Sequence, residues 1–90
     1  MKKFIIERTI PGIGSMTSEE LSELAQKSNA VIRDLNKPYH WVESYVAGDK
    51  LFCVHIAQDE ETIMKHAALG CFPLDKVYEV QAVIDPTTEK

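Results

Sequence analysis

The sequence predicts an α+β protein with the ferredoxin-like βαββαβ fold. Four runs are rich in β-branched, aromatic and other apolar residues, as strands are, and they span 3–9, 40–46, 51–57 and 76–85. A helical pattern follows the first and the third run, so the chain contains two β-α-β units. Right-handed crossovers place both helices on one face of a four-stranded antiparallel sheet with strand order 4-1-3-2.

The first helix has the clearest signals at both ends. Thr17 with Glu20 three residues later forms the pattern of a capping box. Asn36 suits the left-handed conformation that ends helices, and Pro38 prevents continuation. Between them an apolar stripe recurs at steps of three and four residues, at Leu21, Leu24, Ala25, Ser28, Val31, Ile32 and Leu35. The pattern predicts a helix from 17 to 35.

The other elements follow from turn chemistry. Gly48 and Asp49 separate two β-rich runs by two residues, which predicts a hairpin. The acidic stretch 59–62 suits the start of a second helix because of the helix dipole, and Gly70 marks its end. The segment from Pro86 onward is predicted to be a polar tail.

Composition limits the class of function. Ninety residues make one domain, 1–90. A net charge of −4 without a basic cluster argues against a nucleic-acid partner, and no apolar run approaches the length of a membrane span or a signal peptide. We therefore expect a cytoplasmic protein. The two cysteines, Cys53 and Cys71, should remain thiols there.

The alternation of side chains along each strand predicts which residues meet the helices. Phe52, Val54 and Ile56 form an all-apolar set, so we expect them to face the helices together with Phe4 and Ile6. In the other two strands we assign Val42 and Val46, then Tyr78, Val80, Ala82 and Ile84, to the same side. The set assigned to the helix-free face is Ile5, Glu7, Trp41, Glu43, Tyr45, Leu51, Cys53, His55, Val77, Glu79, Gln81 and Val83.

Several members of that helix-free set are large and apolar, and such a surface needs a cover. The chain has no further element to supply it. We therefore predict a homodimer in which two sheets pack face to face. This is the arrangement of a dimeric α/β-barrel.

Cys53 and His55 are two residues apart on one strand, so their side chains point the same way. Thiolate and imidazole ligands suit borderline divalent metals, and Glu7 and Glu43 could add carboxylates. The alternative is a core cysteine beside a histidine that hydrogen-bonds to a carboxylate. A ligand cavity on the same face would be lined by Trp41, Tyr45, Glu79 and Gln81.

His66 and Cys71 form a second candidate pair, because both lie near the end of the second helix. The alternative is a surface or capping histidine. Phosphate-loop, dinucleotide-binding and nucleophile-elbow motifs are missing, so no organic cofactor is predicted.

Several strings together resemble the domain-of-unknown-function family 4242, a family of small bacterial proteins. They are Phe4-Ile5-Ile6-Glu7-Arg8, Gln26-Lys27-Ser28-Asn29-Ala30, Trp41-Val42-Glu43-Ser44-Tyr45-Val46, Lys50-Leu51-Phe52-Cys53-Val54, His66-Ala67, Gly70-Cys71-Phe72-Pro73 and Val83-Ile84-Asp85-Pro86-Thr87. The resemblance implies a ferredoxin-like fold, a dimer of the α/β-barrel kind and nickel binding in at least one branch.

The sequence and the resemblance together predict a small metal-binding protein with a preference for nickel over zinc. Two other functions remain open. One is a small-molecule enzyme of the oxygenase or isomerase kind, which would need a cavity with His55 or Glu79 pointing into it. The other is a non-catalytic interaction module.

Overall fold

The order of strands and helices is the predicted one. The computed structural model describes residues 1–90. Its strands are β1 (Lys2–Thr9), β2 (Tyr39–Ala47), β3 (Lys50–Ala57) and β4 (Lys76–Glu79), and its helices are α1 (Ser18–Leu35) and α2 (Glu60–Gly70). All strand pairs are antiparallel, and the sheet order is β2-β3-β1-β4. This is the predicted 4-1-3-2 order, so the ferredoxin-like fold class is confirmed.

Helix α1 begins and ends as the sequence indicates. Thr17 Oγ1 accepts a hydrogen bond from the Glu20 amide at 3.2 Å, and Glu20 Oε1 accepts one from the Thr17 amide at 3.0 Å. Both halves of the capping box are therefore present. Asn36 adopts the left-handed conformation with φ of 52° after the last helical residue. Neither helix has the length and apolar character that a membrane span requires.

The register between β1 and β3 decides which residues meet the helices. Phe4 pairs with His55 and Ile6 pairs with Cys53, and directly paired residues point to the same face. All four are buried. The helix-covered face of β3 therefore carries Leu51, Cys53, His55 and Ala57.

The prediction that Phe52, Val54 and Ile56 meet the helices is wrong. They are half-buried on the opposite side, which we call the open face. The alternation was correct, but its phase was inverted, because both alternating sets of β3 contain enough apolar residues to form a core.

Strand β2 contains a β-bulge that the sequence reasoning missed. Trp41 pairs with His55, whereas the next paired residue is Glu43, opposite Val54. Val42 is therefore the extra residue, and the alternation shifts by one position there. The bulge turns Trp41 and Ser44 toward the same, helix-covered face. Of the predicted helix-facing pair in this strand, Val46 is correct, and Val42 lies on the open face.

Strand β4 is shorter than predicted and has the opposite phase. Val77 pairs with Ile6 and contacts the core, and Tyr78 pairs with Ile5 on the open face. The Val80 amide still donates to the Lys3 carbonyl at 2.8 Å. Because β1 begins at Lys2, the chain beyond residue 80 soon has no strand left to pair with.

Two glycines hold the loop after β1 against the β2–β3 turn. The Gly14 amide donates to the Gly48 carbonyl at 2.9 Å. A Cβ atom at residue 14 would lie 2.7 Å from that same oxygen. The backbone of the turn is fixed by strand pairing, so it cannot move away easily.

We predict that Gly14→Ala lowers the free energy of unfolding by about 1–3 kcal/mol, the usual cost of overpacking. Urea denaturation followed by circular dichroism measures this. Gly12→Asn is the matched control: Gly12 has φ of 82° with open space around it, and Asn tolerates that conformation. Equal stability of Gly14→Ala and wild type would contradict the proposed contact.

Candidate ligand site between helix and sheet

A cavity of about 240 Å³ lies between α1 and the helix-covered face of the sheet. Its lining is mostly apolar, with Leu21 and Leu24 of α1 on one side and Leu51 of β3 on the other. The polar side chains that line it are Arg8, Ser28, Ser44, His55 and His66. The site therefore combines an apolar enclosure with one cationic group and two imidazoles.

Arg8 is the charged group of this cavity. Only 2% of the residue is exposed, and its Nη1 donates to the Pro73 carbonyl at 2.7 Å. Its Cζ atom lies 5.5 Å from the centroid of the Phe72 ring, a cation–π distance. The three salt bridges of the chain do not include Arg8, and no Asp or Glu lines the cavity. The guanidinium is therefore buried without a negative partner.

His55 and His66 meet edge to face, with ring centroids 5.3 Å apart. His66 is stacked between the rings of Tyr39 and Phe72, at centroid distances of 5.1 and 5.2 Å. The Tyr39 hydroxyl and His55 Nδ1 form a hydrogen bond. This packing fixes the orientation of both imidazoles.

The two nitrogens of His66 differ in their environment. Nε2 lies 3.2 Å from Ser28 Oγ, whereas Nδ1 is buried and has no hydrogen-bond partner. When Nε2 carries the proton and donates to Ser28, the lone pair of the neutral ring is on Nδ1. A buried acceptor without a partner is costly, so this nitrogen is a candidate ligand atom.

Burial keeps both imidazoles neutral. It lowers the pKa of His55 to about 3, with smaller contributions from the charges of His66 and Arg8. It lowers the pKa of His66 to about 4, again assisted by Arg8. Burial also raises the pKa of the Tyr39 hydroxyl, so that this group stays protonated. At neutral pH, Arg8 is therefore the one charged group among the arginine and histidine side chains of the cavity.

The turn at the end of α2 places Phe72 against the ring of His66. A Cβ atom at Gly70 would come within 2.2 Å of the Phe72 ring, so only glycine leaves room for it. Cys71 takes the left-handed conformation, with φ of 54°, and reverses the chain. The expected helix end at Gly70 is confirmed, although the left-handed residue is the cysteine that follows it.

The structure separates the four residues predicted to bind a metal. Cys53 and His55 are buried on the helix-covered face, not on the helix-free face as expected. Glu7 and Glu43 lie on the open face. There Glu7 pairs with Lys50 at 3.1 Å, and Glu43 accepts a hydrogen bond from the Tyr45 hydroxyl. Within one chain the sheet therefore lies between the carboxylates and the imidazole and thiol.

The four residues predicted to line a ligand cavity are also divided. Trp41 lines the cavity, and its Nε1 donates to Ser44 Oγ at 2.9 Å. Tyr45 is exposed on the open face. Glu79 is an exposed strand residue that pairs with Lys2 at 3.7 Å, and Gln81 is exposed beyond β4.

The second predicted pair, His66 and Cys71, is not assembled either. His66 is buried in the aromatic cluster, whereas Cys71 is exposed. The same helix end turns one side chain inward and the other outward.

The sequence reasoning missed Arg8, Tyr39 and Phe72. A signal for Arg8 was present, because it follows Phe4 and Ile6 at steps of two and so shares their face. A charged residue in phase with core residues indicates a buried functional or structural site.

The imidazole nitrogens of His55 and His66 could supply some of the ligands of a nickel site. Neutral imidazole is a ligand that nickel accepts, and the partnerless Nδ1 of His66 is such a donor. However, no group of three or more His, Cys, Asp or Glu side chains is close enough to hold a metal ion. One chain therefore offers two imidazoles, and the remaining positions would need water, a small molecule or another chain.

The buried histidines predict how stability depends on pH. In the unfolded chain both histidines become protonated below about pH 6.5. In the folded chain they stay neutral to much lower pH, because their pKa values are about 3 for His55 and about 4 for His66. The metal-free protein should therefore lose up to about 2.7 kcal/mol per pH unit as pH falls below about 6.5. Urea denaturation between about pH 7.5 and 5 measures the slope.

His55→Gln and His66→Gln should each reduce that slope by about half. His40→Gln, which removes the exposed histidine of β2, should leave it unchanged. A slope that is the same in all four proteins would show that the two buried imidazoles are not the groups responsible.

The fold has a counterpart among solved structures. The crystal structure of SCO4226 from Streptomyces coelicolor A3(2) matches with a TM-score of 0.74, covering 91% of this chain and 99% of that chain. The sequence identity is 20%, so this likeness shows the fold. No curated protein matches the sequence significantly.

Residues 4–80 match the family model described as "Nickel responsive protein SCO4226-like". This agrees with the predicted resemblance to a family of small bacterial proteins, whereas the number 4242 stays a prediction. Because the match spans more than half of the sequence, the chain belongs to the SCO4226-like family, which is described as nickel responsive.

Proposed function

We propose that this chain is a cytoplasmic nickel-binding protein that holds Ni²⁺ through His55 and His66. The observation that carries the proposal is the His66 Nδ1 atom, buried and without a partner, beside the edge-to-face contact with His55. The nickel responsive family description supports nickel over zinc as the metal. The proposal thus keeps His55 from the predicted site and replaces the other predicted ligands with His66.

The neutral state of the two rings favours this role. A metal must compete with protons for an imidazole lone pair, and a pKa of about 3 or about 4 removes that competition at neutral pH. Ser28 and Tyr39 bond one nitrogen of each ring and hold it in place, as outer-shell groups do in metal sites. Arg8 opposes nickel binding, because its positive charge repels a cation.

A small-molecule enzyme is the alternative with one observation in its favour, the cavity lined by His55. Proton transfer near neutral pH works best with a group whose pKa is close to that pH. The pKa values of both histidines lie well below it. The cavity therefore fits binding better than acid–base catalysis.

We also propose that the protein is a homodimer through the open face. Large side chains of this face remain exposed in the single chain, namely Ile5, Val42, Tyr45 and Tyr78. Phe52, Val54 and Ile56 form the centre of the same surface. Both helices lie on the other side, and the segment after β4 lines only part of this surface, through Val80, Ala82 and Val83. A two-fold dimer would pack the surface against the same surface of a second copy.

Nickel binding is tested by titrating Ni²⁺ into chelator-stripped protein and measuring the heat of binding. The double variant His55→Gln with His66→Gln should weaken binding at least about 100-fold, because both imidazoles are lost and metal affinity falls steeply with each ligand. His40→Gln removes the chain's third histidine and should bind like wild type. If the double variant binds nickel as tightly as wild type, the site is elsewhere.

The dimer is tested by analytical ultracentrifugation. Val54→Glu places a charge at the centre of the open face and should raise the dimer dissociation constant at least about tenfold, since an unpaired buried charge is costly. Met64→Glu changes an exposed apolar residue of α2 and should leave association unchanged. A wild-type protein that sediments as a monomer would contradict the proposed assembly.

A further inference from the structure

We propose that Arg8 binds the carboxylate of a small organic monoacid whose flat apolar body lies in the cavity between α1 and the sheet. The proposal concerns the metal-free protein, so it does not depend on nickel binding.

The unpaired charge of Arg8 is the first argument. Burying a cation costs several kcal/mol unless an opposite charge or hydrogen bonds compensate. A guanidinium has five N–H groups, and one of them bonds to the protein, at the Pro73 carbonyl. The other four have no protein acceptor, and Arg8 lines the cavity. An anion inside the cavity would supply both the charge and the acceptors.

The side chains around Arg8 supply no carboxylate. The neighbouring titratable side chains are His55 and His66, which are neutral, Tyr39, which stays protonated, and the thiol of Cys53. The Phe72 ring contacts the guanidinium through its face, but it carries no charge. The protein thus holds a cationic group in a half-open cavity that no Asp or Glu side chain lines.

The shape and chemistry of the cavity indicate the class of anion. Arginine presents paired donors that match a planar carboxylate, and one cation balances a monoanion better than a phosphate dianion. The rest of the lining, from Leu21, Leu24 and Trp41, suits an apolar and flat body. A volume of about 240 Å³ is below the usual range for drug-sized ligands, so the acid is about the size of benzoate.

Benzoate is the probe, and its neutral isostere benzamide is the ligand control. In chelator-treated protein, benzoate should change the fluorescence of Trp41, the only tryptophan, and should bind at least about tenfold more tightly than benzamide, because a charged hydrogen bond is lost with the amide. Equal affinity of the two compounds, or tighter binding of inorganic phosphate than of benzoate, would overturn the proposal.

Two variants test the residues. Arg8→Met should abolish the preference for benzoate, and the matched control Arg33→Met, an exposed arginine at the end of α1, should retain it. Ala25→Phe fills the cavity from α1 and leaves Arg8 in place, and it should also abolish benzoate binding. If Arg8→Met does not fold, this second variant still tests whether benzoate binds in the cavity. Benzoate binding that survives in Ala25→Phe would place the ligand outside the cavity and overturn the proposal.

A nickel titration of the same variant separates the carboxylate site from the proposed nickel site. Arg8→Met removes a charge that repels a cation, so it should bind Ni²⁺ at least as tightly as wild type while losing benzoate. A variant that loses both ligands equally would indicate a structural role for Arg8 and would count against the carboxylate site.

Discussion

The uncompensated charge of Arg8 is the constraint on which the interior of this protein depends. Burial of a cation without a carboxylate must be offset by other groups. The Pro73 carbonyl accepts one hydrogen bond, and the face of Phe72 offers the negative part of its quadrupole. Both come from the loop after α2, so the end of that helix must be placed accurately. Gly70 makes this placement sterically possible.

The other buried polar groups gather around the same charge. Of the 15 buried residues, five are polar or charged, and four of these five line the one cavity: Arg8, Ser28, His55 and His66. The buried polar side chains are thus concentrated at this cavity and are not distributed through the hydrophobic core. Arg8 also opposes protonation of the two histidines, so the imidazoles retain their lone pairs for a ligand.

The local elements could be predicted because their signals are local. The capping box of α1, the left-handed Asn36 and the two-residue turn at Gly48 each depend on residues a few positions apart, and all are present. The face of β3 could not be predicted in the same way. Its two alternating sets are both apolar enough for a core, and the choice depends on the register with β1, a contact between distant parts of the chain.

The faces of Cys53 and His55 were mispredicted for the same reason, and the bulge at Val42 changed the face of Trp41. Inverting the phase of β3 moves Cys53 and His55 from one side of the sheet to the other, so they meet a different set of partners. A better prediction was available from β1, where Phe4, Ile6 and Arg8 alternate in phase. Phe4 and Ile6 were correctly expected to face the helices, so treating Arg8 as part of their set would have indicated a charged group on that face.

The two proposed ligands are compatible because their charges are complementary. Ni²⁺ at the imidazoles and the guanidinium of Arg8 would place two cationic groups in one enclosure, which is unfavourable at low dielectric. A carboxylate between them would offset both charges and could fill metal positions that two imidazoles leave open. Because no Asp or Glu lines the cavity, the proposed anion comes from outside the chain and can exchange, whereas a built-in Asp or Glu would pair with Arg8 permanently.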